Sequence, residues 1–323
     1  MTREEVISVL GSDWTAVQER IRAALSSNIS LLSSVNESLL SNSGKQLRPM
    51  LGLLIAGALG TVGPDSISYA AASELLHNAT LLHDDVVDES STRRGKPTLS
   101  ALMGPTAAVL VGDYWLSRAV DSIVGSAHQN QVIPLFSRTL SDLSEGEMLQ
   151  LEKASSADTT EEDYLRIVHC KTASLFESTC AAAAVSVDAP EALRQAAARY
   201  GAAIGMAFQI KDDIFDYGDP AQIGKPVGSD LRERKITLPL LGALRNAPEQ
   251  QARIRALVAD IIEHPDNCAV VHAFVLQNGG LEYAASRLDD YVNEALCALE
   301  TFPPSQKKDI LASFARYNAI RQS

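Results

Sequence analysis

Helical spacing of apolar residues runs through nearly all of this chain of 323 residues. Leu75, Leu76, Ala79 and Leu82, for example, recur at intervals of three and four, which places them on one face of an α-helix. Strand-like alternation is scarce, and Asn278-Gly279 is the one Asn-Gly turn signal in the sequence. The pattern therefore predicts an all-α protein.

Glycine and proline divide this pattern into separate helices, as at Gly63-Pro64 and Pro303-Pro304. The predicted helices span residues 13–39, 46–60, 66–89, 98–126, 130–154, 160–187, 190–217, 231–246, 249–263, 267–278, 280–300 and 304–320. No linker or low-complexity tract separates them, so the sequence predicts one helical domain over residues 1–323.

Composition excludes several classes of protein. The chain has 28 Lys and Arg against 40 Asp and Glu, a net charge of −12, which argues against nucleic-acid binding. Its longest apolar run, residues 50–63, falls short of the roughly 20 residues that span a bilayer. The N-terminus does not resemble a secretory signal. The four cysteines form no CxxC pair, which indicates reduced thiols and a cytoplasmic protein.

Two aspartate triplets give the sharpest functional signal. They share the spacing i, i+1, i+4 and consist of Asp84, Asp85 and Asp88 and of Asp212, Asp213 and Asp216. Both end long apolar helices, where the partial negative charge of the helix terminus disfavours further carboxylates. A solvated acidic helix end is one interpretation. The repetition favours another, a site for a hard divalent cation such as Mg²⁺, which prefers oxygen ligands and phosphate-bearing substrates.

Basic residues cluster around these triplets in an otherwise acidic chain. They are Lys45 and Arg48, Arg93 and Arg94, Lys171, and Lys225. Arginine forks and lysine ammonium groups suit phosphate oxygens, so the pattern predicts two anion sites, one bridged by metal and one held by basic side chains. Each patch taken alone also fits an exposed loop. Lys171 differs, because it lies in an apolar helix and needs a partner there.

Two further polar residues share helix faces with the triplets. His77 precedes Asp84 by seven residues, and Gln209 precedes Asp212 by three. The position of His77 fits a core histidine and a ligand-binding histidine equally well.

The segments around these residues resemble the trans-isoprenyl (polyprenyl) diphosphate synthases. The resemblance covers roughly residues 40–290 and rests on GKQLRP, LLHDDVVDESSTRRGKPT, GDYWL, SEGEMLQ, HCKTASLFE, AFQIKDDIFDY and GKPVGSDLRERKITLPL. It implies the isoprenoid synthase fold, an all-α bundle of antiparallel helices around a central cavity, as a homodimer with the two aspartate motifs facing each other. Ser43 and Gln46 depart from the family, in which many members have Gly and Arg.

The resemblance also implies a role for each candidate residue. Three Mg²⁺ ions are expected with substrate bound, held by the six aspartates. An allylic diphosphate is expected to contact Arg93, Lys171 and Lys225. Isopentenyl diphosphate is expected to contact Lys45, Arg48, His77 and Arg94. Lys171, Thr172 and Gln209 are the expected catalytic group, the latter two stabilising the cationic carbon.

Product length is expected to depend on the residues one turn before the first triplet. Ala79 and Thr80 are small where short-chain members of the family commonly have bulky aromatic residues, so the resemblance implies an open tunnel and a long product. C40 is the first expectation, with Phe136 as a candidate floor. Membrane association, if any, is expected to come through this product.

Three alternatives stay open. One is a shorter-chain synthase, such as a geranylgeranyl diphosphate synthase. Another is a terpene cyclase, although the second motif here is DDIFD and not the Asn/Ser/Glu motif typical of cyclases. The third is a non-catalytic subunit of a heteromeric synthase.

Overall fold

The computed structural model describes residues 2–41, 44–218 and 228–320, and helices account for most of them. The α-helices are α1 (Arg3–Leu10), α2 (Ser12–Ala24), α3 (Ser30–Ser41), α4 (Leu47–Leu59), α5 (Pro64–Val87), α6 (Leu99–Met103), α7 (Pro105–Ile123), α8 (Gln129–Ser156), α9 (Glu161–Val168), α10 (Ser174–Val185), α11 (Glu191–Phe215), α12 (Ser229–Arg232), α13 (Leu238–Asn246), α14 (Gln251–Ala259), α15 (Asn267–Gln277), α16 (Gly280–Leu299) and α17 (Gln306–Ile320). A π-helical turn, His169–Ala173, joins α9 to α10, and a 3-10 turn, Pro248–Gln250, precedes α14. The predicted all-α class is confirmed.

A small hairpin follows α5. Strand β1 (Thr92–Arg93) pairs antiparallel with β2 (Lys96–Pro97). Its two-residue turn, Arg94-Gly95, has positive φ at both positions, 52° and 74°, as a type I′ turn requires. The sequence pattern did not indicate this hairpin, because arginine rarely occupies that turn position.

Three predicted helices are interrupted by non-helical residues in the structure. The helix predicted over 231–246 is divided, because α12 ends at Arg232 and α13 begins only at Leu238. The helix predicted over 13–39 is two helices, because the chain leaves helical geometry between Ala24 and Ser30. Asn36 reaches across this break and donates from Nδ2 to the Leu25 carbonyl oxygen at 2.8 Å. The helix predicted over 98–126 divides at Gly104, whose φ of 84° ends α6 directly before Pro105. Apolar periodicity continues through the break after Ala24 and through the break at Gly104, and therefore hid them.

The chain divides into two compact units. Unit 1 comprises Met1–Phe136, Ser178–Gln195 and Phe302–Leu311. Unit 2 comprises Ser137–Glu177, Ala196–Thr301 and Ala312–Ser323. The single domain predicted over residues 1–323 stays a prediction.

In unit 1, α5 is the central element and packs on α2, α4 and α7. Small side chains such as Ala71 and Ala72, both fully buried, allow this close packing. Helix α7 lies especially close to α5 near the end of α5, where a Cβ at Gly112 would be 2.3 Å from His83 Nε2. Helix α7 thereby fixes the residue that directly precedes the first aspartate triplet.

His128 links three segments of unit 1. Its Nδ1 lies 3.0 Å from Asp65 Oδ2, at the start of α5, and its Nε2 lies 2.9 Å from Asp188 Oδ1, after α10. The hydrogen bonds to Asp188 and then Asp65 raise the pKa of His128. A protonated imidazole is a donor at both nitrogens and suits two carboxylates.

In unit 2, α11 lies directly against the π-turn and the start of α10. A Cβ at Gly201 would lie 2.5 Å from the Phe176 carbonyl oxygen, and one at Gly205 would lie 2.4 Å from Ala173 Cα. Only glycine leaves space for the backbone at these two positions. One turn further on, the same face of α11 presents Gln209.

No helix in the described ranges is long and apolar enough to cross a membrane.

Candidate active site

The first aspartate triplet lies where α5 ends, and its members differ in exposure. Asp85 is buried, at 4% exposure, and accepts a hydrogen bond from Arg93 Nε at 2.8 Å. Asp84 is half-buried and Asp88 is exposed. The hairpin β1–β2 delivers Arg93 to this position, so the local fold places a cation against the middle carboxylate of the triplet.

The basic residues of unit 1 form a second group. Gly44 lies so close to Arg94 that a Cβ there would be 2.4 Å from Arg94 Nη1. Lys45 is exposed, and its carbonyl oxygen accepts a hydrogen bond from Arg3 Nε at 3.2 Å. Gln46 precedes α4 in the left-handed conformation, with φ 53°. This turn sets the direction in which α4 begins, one residue before Arg48.

The partly buried ring of His77 lies in the field of these arginines. Burial first, and then the charges of Arg48, Arg94 and Arg93, lower the pKa of His77 well below its ordinary value. Burial also lowers the pKa of Arg48, to about 10, so this guanidinium is charged at neutral pH while the imidazole is neutral. The structure thus groups His77 with the predicted basic residues.

Glu74 belongs to the same group, although the sequence analysis did not select it. It is buried, at 4% exposure, and its Oε1 accepts a hydrogen bond from Asn78 Nδ2 at 3.0 Å. Burial raises the pKa of Glu74, whereas the Asn78 hydrogen bond and the charge of Arg48 lower it. A signal existed, because Glu74 lies one turn before His77 on the same helix.

Asp213, the middle member of the second triplet, borders a cavity of about 170 Å³ in unit 2. Asp213 is buried, at 3% exposure, and accepts hydrogen bonds from Tyr164 Oη at 2.6 Å and from Gln209 Nε2 at 2.9 Å. Gln209 Oε1 accepts from Thr172 Oγ1 at 2.9 Å. The π-turn carrying Thr172 is thereby connected, through Gln209, to the triplet. Lys171 lines the same cavity.

Carboxylates are crowded around this cavity. Burial and the charges of Asp212 and Asp216 raise the pKa of Asp213 to about 7, against the opposing hydrogen bonds. Burial and the charge of Asp213 likewise raise the pKa of Asp230 well above its ordinary value. The raised pKa values show that ionising these neighbouring carboxyl groups together is unfavourable in the absence of a cation.

Asp216 has a distinct position. Its carboxylate accepts hydrogen bonds from Ser229 N at 3.0 Å, from Ser229 Oγ at 2.8 Å and from Asp230 N at 3.0 Å. It therefore caps the short helix α12 and attaches it to the end of α11. Lys225 lies outside the described residues.

The predicted chain-length residues lie in unit 1. Ala79 and Phe136 are buried, at 1% and 3% exposure, and Thr80 is half-buried. Thr80 Oγ1 donates to the His77 carbonyl oxygen at 2.9 Å, one turn back on α5.

In the part of the chain that is described, no three His, Cys, Asp or Glu side chains converge closely enough to form a metal site by themselves. Sequence reasoning missed Tyr164, which meets Asp213 from 49 positions away with no pattern to indicate it. It also assigned no role to Glu147, within the quoted segment SEGEMLQ, which pairs with Lys171.

Comparisons with known proteins agree with this fold. A family model described as polyprenyl synthetase matches residues 29–274. The octaprenyl diphosphate synthase of Haemophilus influenzae is 37% identical, with 99% of this chain and 98% of that protein covered. The crystal structure of a decaprenyl diphosphate synthase from Rhodobacter capsulatus superposes with a TM-score of 0.91, at 36% identity and 100% coverage of both chains. That of a polyprenyl synthase from Caulobacter crescentus CB15, complexed with calcium and isoprenyl diphosphate, gives 0.90, at 31% identity, covering 100% of this chain and 98% of that one.

The chain therefore belongs to the polyprenyl synthetase family. It is a prenyltransferase of the long-chain trans-polyprenyl diphosphate synthase type.

Proposed function

We propose that the protein condenses isopentenyl diphosphate with an allylic diphosphate to build a long all-trans polyprenyl diphosphate, with C40 as the expected length. The observation that carries the proposal is the repeated design of the two units. Each ends a long helix in an aspartate triplet and supplies a cationic side chain near it, Arg93 in unit 1 and Lys171 in unit 2.

Divalent metal use is a general property of this family, and the triplets fit Mg²⁺ by the chemistry of their donors. Mg²⁺ is usually bound through one or two carboxylates plus substrate phosphates and water. Asp84, Asp88 and Asp212 would hold the ions, three per active site, with Asp85, Asp213 and Asp216 supporting them through hydrogen bonds. When bound, the ions would supply the positive charge that stabilises the departing diphosphate.

The protein's own side chains would position the two substrates. Arg93, Lys171 and Lys225 are proposed to hold the allylic diphosphate. Lys45, Arg48, His77 and Arg94 are proposed to hold isopentenyl diphosphate, with His77 as a neutral hydrogen-bonding partner. The unit 1 group supports this assignment, since it combines charged guanidinium groups with an imidazole whose pKa is lowered.

The reaction would proceed by ionisation, condensation and elimination. The allylic C–O bond breaks and diphosphate leaves with the electron pair. The double bond of isopentenyl diphosphate attacks the cation to form a new C–C bond, and the resulting cation loses a proton to the departing diphosphate. Thr172 and Gln209 would stabilise the cationic carbon with their dipoles, and exclusion of water would prevent its capture.

A chain-length assay tests the proposal. Purified protein is incubated with labelled isopentenyl diphosphate and farnesyl diphosphate, with and without Mg²⁺, and the product is sized by chromatography. A long product that requires Mg²⁺ is expected. A C20 product would favour the shorter-chain alternative. No turnover by the chain alone would contradict the proposal and favour a subunit of a heteromeric synthase.

We further propose that the protein is a homodimer. Four apolar side chains between residues 102 and 110, on α6 and the start of α7, are exposed: Leu102 at 68%, Met103 at 41%, Val109 at 39% and Leu110 at 64%. An exposed apolar face of this kind marks an interaction surface, and a second copy would cover it. Light scattering during size-exclusion chromatography is expected to give twice the chain mass of 34.6 kDa. The proposed location is the cytoplasm, which the four free thiols support.

A further inference from the structure

Glu147 is a carboxylate of α8 directed at the π-turn. Its side chain is 19% exposed, and its Oε2 forms an ion pair with Lys171 Nζ. Glu145, two residues earlier on the same helix, is far more exposed. It is 64% exposed and lies 3.6 Å from Arg166, which is itself 65% exposed. The pair formed by Glu147 is therefore sheltered, whereas the pair formed by Glu145 is a surface contact of little energetic weight.

The backbone of α8 approaches the π-turn closely at Gly146. A Cβ at Gly146 would lie 2.6 Å from Cys170 Cβ and 3.1 Å from Lys171 Cγ. Only glycine at this position lets α8 contact the π-turn directly. π-Helical turns are rare and occur frequently at functional sites. Here the turn presents Lys171 to Glu147 and Thr172 to Gln209.

Each oxygen of Glu147 has its own partner. Oε2 contacts Lys171, and Oε1 accepts a hydrogen bond from Gln150 Nε2 at 3.1 Å. This arrangement fixes the plane of the carboxylate. An ammonium group has three donors, so Lys171 keeps two for another acceptor while it contacts Glu147. Gln150 and Lys171 both line the cavity that Asp213 borders.

We propose that Glu147 is a positioning residue that holds the Lys171 ammonium group at the edge of this cavity, oriented toward the allylic diphosphate. The inference rests on the proposed function, which assigns that contact to Lys171. A carboxylate beside an anionic substrate weakens ground-state binding, so affinity cannot explain it. Its benefit is orientation, because a free lysine side chain samples many rotamers.

This reasoning predicts an uncommon kinetic signature. Glu147→Gln keeps the shape and the Gln150 contact but removes the charge that holds Lys171. We expect kcat to fall about 10-fold to 100-fold, as misplaced catalytic groups do, while KM for the allylic diphosphate stays constant or falls. Glu147→Asp, which keeps the charge, is expected to recover part of the lost kcat. Glu145→Gln is the matched control and is expected to behave as wild type.

A double-mutant cycle tests whether Glu147 acts through Lys171. If it does, Glu147→Gln in a Lys171→Met background causes no further loss of kcat. Equal losses in both backgrounds would overturn the inference, as would an unchanged kcat in Glu147→Gln. A merely structural role would lower the melting temperature, raise KM and leave Glu147→Asp as impaired as Glu147→Gln, and that outcome would also overturn it.

A footprint of Lys171 separates this inference from the proposed function. The folded protein is acetylated with limiting acetic anhydride, and modification of Lys171 is read by mass spectrometry. Loss of the ion pair is expected to speed acetylation several-fold in Glu147→Gln and not in Glu145→Gln. An unchanged rate would overturn the positioning of Lys171 by Glu147, whether or not the wild type is active. Absent turnover in wild type would instead contradict the proposed function.

Discussion

Gly205 offers a sharp test of how α11 positions the site, because two effects of Gly205→Ala oppose each other. Alanine is a better helix former than glycine by about 1 kcal/mol, so propensity predicts stabilisation. The new Cβ would lie 2.4 Å from Ala173 Cα and 2.9 Å from Ala173 Cβ, in the π-turn. Carbon atoms in contact are separated by about 3.5–4.0 Å, so α11 and the turn must move apart by about 1 Å.

The consequence for stability is modest, but the consequence for activity is large. Overpacking costs about 1–3 kcal/mol, and after the gain in helix propensity a net loss of about 0–2 kcal/mol remains. The displacement acts one turn before Gln209, which holds Thr172 and Asp213 by hydrogen bonds of 2.9 Å each. A misplacement of about 1 Å can lower a rate about 100-fold. We therefore expect turnover to fall about 100-fold in a protein that remains folded.

Turnover of labelled isopentenyl diphosphate and the melting temperature would be measured on the same samples. Arg199→Ala changes an exposed side chain of the same helix and serves as the control. If the effect passes through the hydrogen bond between Thr172 and Gln209, then Thr172→Val lowers turnover by a smaller factor in the Gly205→Ala variant than in wild type. Wild-type turnover in Gly205→Ala would refute the reasoning, and so would a higher melting temperature.

Three further changes test other parts of the molecule. Ala79→Tyr adds a phenol ring where the side chain is buried, and we expect a shorter product; an unchanged product length would contradict the open tunnel. Gly44→Ala would displace the Arg94 guanidinium, so KM for isopentenyl diphosphate should rise about 10-fold with KM for the allylic substrate unchanged, as initial-rate kinetics would show. In His128→Gln the raised folded-state pKa of His128 is lost. Wild type should have its full extra stability below the unfolded-state pKa of about 6.5 and lose it as pH rises through the folded-state pKa. The free energy of unfolding of the variant, measured in denaturant melts, should therefore depend less on pH than that of wild type. The same pH dependence in both proteins would be evidence against the interaction.

The helices could be predicted from sequence because burial imposes a spacing of three and four on the apolar residues. Their interruptions could not, because apolar spacing continues across them. At Gly104 the positive φ ends α6 although the apolar pattern continues into α7. Within the quoted segment HCKTASLFE, the π-turn left no trace in the spacing. A register change of one residue is invisible to a pattern with a tolerance of one residue.

The residues of the candidate site also fall into those that the sequence could predict and those that it could not. Local spacing located both aspartate triplets, and it would have located Glu74, one turn from His77. Contacts between distant segments carried no such signal. Tyr164 reaches Asp213 and Glu147 reaches Lys171 because helices pack side by side, and the sequence contains no record of which helices are neighbours. Gly146, Gly201 and Gly205 mark where backbones meet, but a glycine in a helix does not reveal what approaches it.

The spacing i, i+1, i+4 of both aspartate triplets suits a helix with one ligand-binding face. The middle aspartate lies about 100° around the helix from the first, so it turns toward the protein while the first and last share another face. The structure bears this out for burial in both units: Asp85 and Asp213 are the buried members, at 4% and 3% exposure. Each has protein donors, Arg93 for Asp85 and Tyr164 with Gln209 for Asp213. The middle carboxylate thus anchors the helix end, whereas the first carboxylate of each triplet is only half-buried, as the proposed cation binding requires.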